Sequence, residues 1–214
     1  MTYKTRFQYL LDKARDIAQT AASQNPKLRP QLPPLFFFTD PGRTSHPEDI
    51  AIHMPEGCGI VYRHFGEPHA HQRAQLLRKI ARDNGLTLLI GEDDGLALEV
   101  EADGIHLRQT SIARTVGLRA THPDLILTVA CHDTETLRAL DTDSGLSAVF
   151  VSPVFTSHSP SAQGVEALGV KGVREMTDLS SLPVFGLGGI GCDNILSLRD
   201  TGLSGIGAVD AFKL

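Results

Sequence analysis

The chain has 214 residues, 41% hydrophobic and 21% charged, the balance of a globular domain rather than of a disordered or fibrous segment. A formal charge of −5 argues against a nucleic-acid partner, which calls for a basic stripe. No run of 18 apolar residues and no signal-like start occurs, so no membrane partner is expected and the cytoplasm is the expected location. Cys58, Cys131 and Cys192 are scattered and odd in number, which predicts free thiols rather than disulfides or a zinc site.

In chain order, Thr5–Ser23 carries Phe7, Leu10, Leu11, Ala14, Ile17, Ala18 and Ala21 at helical spacing, and a proline-broken stretch from Pro26 to Pro34 follows. Residues 1–34 are thus expected to form a helix and an extended connector, and 35–214 one β/α domain. From Leu35 onward short apolar runs alternate with helical segments. The expected strands are Leu35–Thr39, Gly59–Arg63, Thr87–Ile90, Gly104–Leu107, Ile126–Ala130, Ala148–Ser152, Val184–Leu187 and Gly205–Val209. Each is apolar almost throughout, as a strand covered on both faces must be. Ala70–Asn84, Thr134–Leu140 and Cys192–Asp200 are expected helices. Eight such strands, with no GxGxxG after the first, predict a closed (β/α)8 TIM-type barrel rather than an open doubly wound sheet. The sequence stops soon after the eighth run, so the last outer helix is missing. Its place falls to the N-terminal helix or to a second subunit, which makes a homodimer one expectation.

Function in such barrels lies at the carboxyl ends of the strands. That rule selects Thr39, Asp40, Arg63, His64, Glu92, Asp93, Asp94, Gln109, His132, the Pro153–Gln163 loop, Gly188, Gly189 and Asp210. Gly188-Gly189-Ile190, ahead of an expected helix containing Asn194, suits backbone N–H donation to a phosphate, although a tight turn alone also requires such glycines. The loop around Val209 and Asp210 lies beside it. His132, directly after an apolar strand, suits proton transfer or, more simply, flanks a helix. Arg63 is a permanent cation for a phosphate or carboxylate, or one half of a rim ion pair. Glu92, Asp93 and Asp94 offer oxygens to a magnesium ion, but the preferred reading is a cap on the following helix.

Several blocks, colinear and compatibly spaced from about Leu35 to Phe212, resemble the thiamine phosphate synthase/TenI family. They are Phe38-Thr39-Asp40, Arg63, Ala102-Asp103-Gly104-Ile105-His106-Leu107 with Gln109, Val129 through His132, Pro153 through Ser157, Gly164-Val165-Glu166, and Gly188-Gly189-Ile190 to Asn194. The resemblance implies a β/α barrel of thiamine biosynthesis. One branch joins a pyrimidine diphosphate to a thiazole phosphate with magnesium, releasing pyrophosphate; another is a thiazole tautomerase.

Against the synthase pattern this chain departs at several positions. The glutamine and lysine around Arg63 are Val61 and Phe65, and the Asn-Asp pair is Gly91-Glu92. The metal-side aspartate is Ser111 and its glycine Arg108; Ala130, Ser159 and Asp210 replace a serine, a lysine and a serine. The thiazole-phosphate half persists. The resemblance therefore implies a tautomerase-like enzyme in which His132 and Arg63 are catalytic. Thr156, Ser157, Gly188, Gly189, Val209 and Asp210 would hold a phosphorylated thiazole-like ligand, and no cofactor is certain. The alternatives are a working synthase, with Mg2+ held by Glu92, and a non-catalytic phosphate-ligand binder.

Overall fold

The computed structural model describes residues 2–26, 31–156 and 165–214. Eight parallel strands close into a barrel in sequential order: β1 (Leu35–Phe38), β2 (Gly59–Tyr62), β3 (Thr87–Gly91), β4 (Gly104–Leu107), β5 (Ile126–Cys131), β6 (Ala148–Val151), β7 (Val184–Leu187) and β8 (Gly205–Ala208). The seam is made by β1 and β8, with Phe36 level with Gly207. All eight expected strands are present, with ends shifted by a residue at most. The surrounding helices are α1 (Tyr3–Gln24), α2 (Pro47–Ala51), α3 (Ala70–Asp83), α4 (Asp94–Glu99), α5 (Arg114–Thr121), α6 (Thr134–Ala139) and α7 (Gly169–Leu179).

Phenylalanines fill the barrel. Along β1 the pleat sends Phe36 and Phe38 inward and Phe37 outward. Inside, Phe36 meets Phe150 edge-on with ring centroids 5.6 Å apart, Phe38 meets Phe150 at 5.0 Å, and Phe150 meets Phe185 at 4.9 Å. Glycines on facing strands make room: a Cβ on Gly59 would lie 2.1 Å from the Phe36 ring, and one on Gly207 2.6 Å from Phe38.

After β8 the described residues form a single turn, Asp210–Phe212, which leaves the flank of the β1–β8 seam to be covered by another element. The N-terminal helix takes that place. Thr2 caps α1 through the Thr5 amide, and Phe7, Leu10, Leu11, Ala14 and Ile17 form its buried face. Phe7 stacks on Phe212 at 5.0 Å, and Phe212 on Phe37 at 5.1 Å, which pins the helix across the β1–β8 seam. Arg199–Asp16 adds an ion pair at 3.2 Å. One expected helix is absent: Cys192–Asp200 yields only the 3-10 turn Ile195–Leu198. Asn194 spends its side chain on the Gly191 amide and the Gly189 carbonyl, which folds the chain into a loop first.

Phe7 bears on the helix and the seam together, so Phe7→Ala is expected to cost about 3–5 kcal/mol of unfolding free energy, as for other buried phenylalanines. Urea denaturation followed by circular dichroism checks this, and a loss under about 1 kcal/mol would mean that α1 is a loosely held cover.

Candidate functional site

The loop after β7 is a tight structure that only glycine permits. Gly188 and Gly189 have φ of +98° and +67°. A Cβ on Gly189 would come within 2.6 Å of the Thr156 carbonyl oxygen, and one on Gly188 within 3.1 Å of Pro153 Cα. The Phe155 amide donates to the Gly188 carbonyl at 3.0 Å, binding this loop to the one after β6. Among the described residues, the amides of Gly189 and Ile190 meet no acceptor.

This loop is one wall of a cleft of about 670 Å3. Thr156, Gly188, Gly189, Val209 and Asp210, all expected at a phosphate site, line it together. Ser157 lies outside the described residues. The structure corrects one part of the expectation: with four residues of 3-10 turn after the loop, no helix dipole of consequence points into the cleft. Cations stand there instead, and sequence reasoning missed both. Arg6 reaches the cleft from α1 and Arg43 from the loop after β1.

Asp210 is engaged. Its carboxylate accepts from Arg43 Nη1 at 3.0 Å and from Lys213 Nζ at 2.7 Å, while Arg43 Nη2 donates to Asp40 at 2.9 Å. Burial alone pushes the Asp210 carboxyl up, but Lys213 and Arg43 outweigh this and hold it below the ordinary carboxylate range.

Arg63 lies outside this cleft. Its amide and Nε donate to Thr39 Oγ1 and the Thr39 carbonyl, each at 2.8 Å. Its guanidinium lies 5.3 Å from the centroid of Phe38 and 5.4 Å from that of Phe65. Arg63 Nη2 is buried without a hydrogen-bond partner among the described residues. Burial lowers its pKa to about 10, and Arg43 adds to the shift while Asp40 opposes it.

His132 also stands outside the cleft wall, exposed at the end of β5. Its amide donates to Gln109 Oε1 at 2.8 Å, and its Nδ1 lies 3.0 Å from the Ser152 carbonyl. The same Nδ1 lies 3.2 Å from Ser152 Oγ, so Ser152 holds this edge of the ring and Nε2 is left on the other side. Gln109, held by Asp133 and Thr136, is thus a support for the His132 backbone. Beneath them His106 is fully buried, with Nδ1 2.9 Å from Thr128 Oγ1. Burial, then the charges of Arg63 and His132, lower its pKa to about 3, so it is neutral at neutral pH.

The acidic residues after β3 do not fit a metal site as arranged. Glu92 accepts from the Arg108 amide, from Arg108 Nη2 at 3.1 Å and from Ser111 Oγ at 2.9 Å. Burial pushes the Glu92 carboxyl up, but these hydrogen bonds outweigh it and hold the group below its ordinary range. Asp94 pairs with Arg114 at 3.0 Å. Asp93, not Glu92, caps α4 through the Leu96 amide at 2.9 Å. Among the described residues no three His, Cys, Asp or Glu side chains converge in a metal-holding group. A cation at Glu92 would have to displace Arg108 and also Arg114, whose Nη1 lies 3.6 Å from the Glu92 carboxylate.

A closed eight-stranded barrel with its polar groups gathered at the carboxyl mouth is a TIM-type barrel. The chain belongs to the thiamine monophosphate synthase family, whose model matches residues 55–212. It is similar to a thiamine-phosphate synthase of Vibrio campbellii, 32% identical over 144 residues that cover 65% of this chain and 68% of that one. A thiamine-phosphate synthase of Moorella thermoacetica is 30% identical over 135 residues, 63% of either chain. In fold it resembles a thiamine phosphate pyrophosphorylase of Pyrococcus furiosus, with a TM-score of 0.70, 22% identity, and 86% of this chain and 88% of that one covered. No helix among the described residues is long and apolar enough to cross a membrane.

His106 gives a pH dependence. Unfolded, it takes up a proton near pH 6.5; folded, it resists until about pH 3. The unfolded state therefore binds more protons between these values, and stability falls as pH drops through that window. His106→Gln is expected to flatten the fall of the melting temperature between pH 6.5 and 4, whereas Glu92 and Asp210, also lowered, keep acting in both proteins at lower pH. Parallel curves for the two proteins would mean that His106 is not the group responsible.

Proposed function

We propose that this chain is a thiamine-phosphate synthase, joining a pyrimidine diphosphate to a thiazole phosphate. One observation carries the reading: the mouth holds two separate basic places. One is the Gly188–Gly189 cleft with Arg6 and Arg43. The other is Arg63, whose buried Nη2 has no partner among the described residues. A reaction with two phosphorylated substrates needs two anion sites; an isomerase with one phosphorylated substrate needs one. The related synthases of Vibrio campbellii and Moorella thermoacetica support the same choice.

On this reading the thiazole phosphate sits in the cleft, its phosphate on the Gly189 and Ile190 amides, with Thr156, Val209 and Asp210 at its border. The thiazole nitrogen forms a bond to the pyrimidine methylene carbon as the carbon–oxygen bond to the diphosphate breaks. Arg63 faces the charge that builds on the departing pyrophosphate. A guanidinium with an unused donor in a desolvated site is preorganised for that charge. Because Glu92 is held by Arg108 and Ser111, no step is assigned to a metal ion.

A second reading, a thiazole tautomerase, is favoured by His132. With Nδ1 turned to the Ser152 carbonyl, its Nε2 is oriented as a base or acid for moving a single proton. A purely non-catalytic binder loses its motive, since Asp210 is paired rather than bare in the cleft.

The test supplies both substrates, with and without magnesium, and measures thiamine phosphate. Turnover is expected, reduced about 100- to 1,000-fold in Arg63→Gln, the usual range for removing one donor to developing charge. If instead the protein converts a thiazole tautomer without condensation, and His132→Gln abolishes this while binding persists, the second reading replaces the first.

A further inference from the structure

We infer that Arg6 of the N-terminal helix is a phosphate-binding residue, the cation that completes the Gly188–Gly189 cleft and selects ligands bearing a phosphomonoester. The inference rests on the reading that a phosphorylated ligand occupies this cleft, and it adds a residue well outside the 55–212 stretch that defines the family.

Arg6 is held in place by its neighbours. The Arg6 amide donates to the Thr2 carbonyl at 2.9 Å in the first turn of α1, and the next residue, Phe7, is locked into the ring stack at the β1–β8 seam. The guanidinium lies 5.6 Å from the Phe7 ring centroid and forms part of the cleft wall with Gly188 to Asn194 and Val209 to Ala211. Its Nε and Nη2 are both buried, and neither has a hydrogen-bond partner among the described residues. Burying guanidinium donors without acceptors is costly, so such an arrangement points to an acceptor that arrives from outside. Arg6 also makes no ion pair among the described residues.

The charges around it single Arg6 out. Arg43, the other cation of the wall, is already compensated by Asp40 and Asp210. Asp210 is compensated in turn by Lys213. Asp193, the second acid in the wall, is exposed, where solvent screens it. Arg6 is thus the cation whose charge is left for a ligand. Its two unpartnered nitrogens, Nε and Nη2, form the edge of the guanidinium that can meet two oxygens of a phosphate side by side, once the side chain turns that buried edge toward the cleft it lines. Opposite them, the Gly189 and Ile190 amides serve the remaining oxygens.

Calorimetric titration of the full chain, Arg6→Gln and Arg6→Lys with thiazole phosphate, the dephosphorylated thiazole alcohol and inorganic phosphate tests this. Wild type is expected to bind both phosphate-bearing probes. Arg6→Gln should weaken them about 10- to 100-fold, as for a lost charge-assisted bidentate contact, and leave the alcohol unchanged. Arg6→Lys should fall between. Without ligand, Arg6→Gln should melt close to wild type, because it loses only the 5.6 Å contact with the Phe7 ring and no hydrogen bond or ion pair among the described residues. Phosphate binding unaltered in Arg6→Gln overturns the inference and leaves the synthase reading standing. Arg6-dependent binding of inorganic phosphate without binding of thiazole phosphate sustains the inference and removes that reading. Binding of neither probe by wild type ends both.

Discussion

Three stacked rings, Phe7 on Phe212 on Phe37, tie the first helix of this protein to the point where its barrel closes. Strands β1 and β8 meet at the seam, and a strand buried on both faces needs a cover that water cannot replace. Here the cover comes from the opposite end of the chain. The residue before Phe7 is therefore carried to the carboxyl mouth beside the loop after β7, about 180 positions away in sequence, where folding alone brings them together. If Arg6 binds the ligand as inferred above, stability and ligand chemistry share one helix.

The barrel interior acts on the mouth as well. Phe38 and Phe150 pack edge-on against His106, with centroids 5.1 and 5.4 Å away. Above the same Phe38 ring lies the Arg63 guanidinium. The apolar rings keep water from both groups, which depresses both pKa values, yet with different outcomes at neutral pH. His106 gives up its charge, whereas Arg63, lowered only to about 10, keeps it. A neutral histidine beneath a permanent cation avoids a second buried positive charge.

The strands were legible because burial on both faces writes itself as continuous apolar runs, and all eight runs became strands. The amphipathic spacing of Phe7, Leu10, Leu11, Ala14 and Ile17 made α1 legible as a helix, but it left α1 and a second subunit as equal candidates to cover the β1–β8 flank, and only the structure puts α1 there. Cys192–Asp200 misled because Leu196, Leu198 and Ile195 mimic a helical stripe, while the Asn194 side chain competes for the backbone and leaves one 3-10 turn. Of the expected site, the cleft residues Thr156, Gly188, Gly189, Val209 and Asp210 do converge, but His132 and Arg63 stand apart from them. Arg6 and Arg43 escaped because nothing local marks them: a helix-face arginine and a loop arginine look like solvated charges until tertiary structure brings them to the loop after β7. The acids after β3 were read chiefly as a cap, which Asp93 supplies, but sequence did not show the arginines and serine that engage Glu92 and Asp94.

Asp210 shows how an unfavourable charge is absorbed. A carboxylate beside a phosphate-sized cleft repels its ligand unless its charge is spent elsewhere. Arg43 and Lys213 both bind it, and Arg43 is shared with Asp40. Taken together, two acids and two bases cancel, so this corner adds little net field to the cleft. Asp210 therefore does not block an anion, and Arg43 does not attract one strongly. On the proposed reading, the pull on a phosphate comes from groups outside the quartet, the loop amides of Gly189 and Ile190 and the guanidinium of Arg6. An acid in this position is compatible with phosphate binding only while Arg43 holds it, because without that arginine the carboxylate would face the ligand with Lys213 alone to offset it. If the cleft binds phosphate as proposed, the quartet is a structural condition for the site and selectivity lies across the cleft from it.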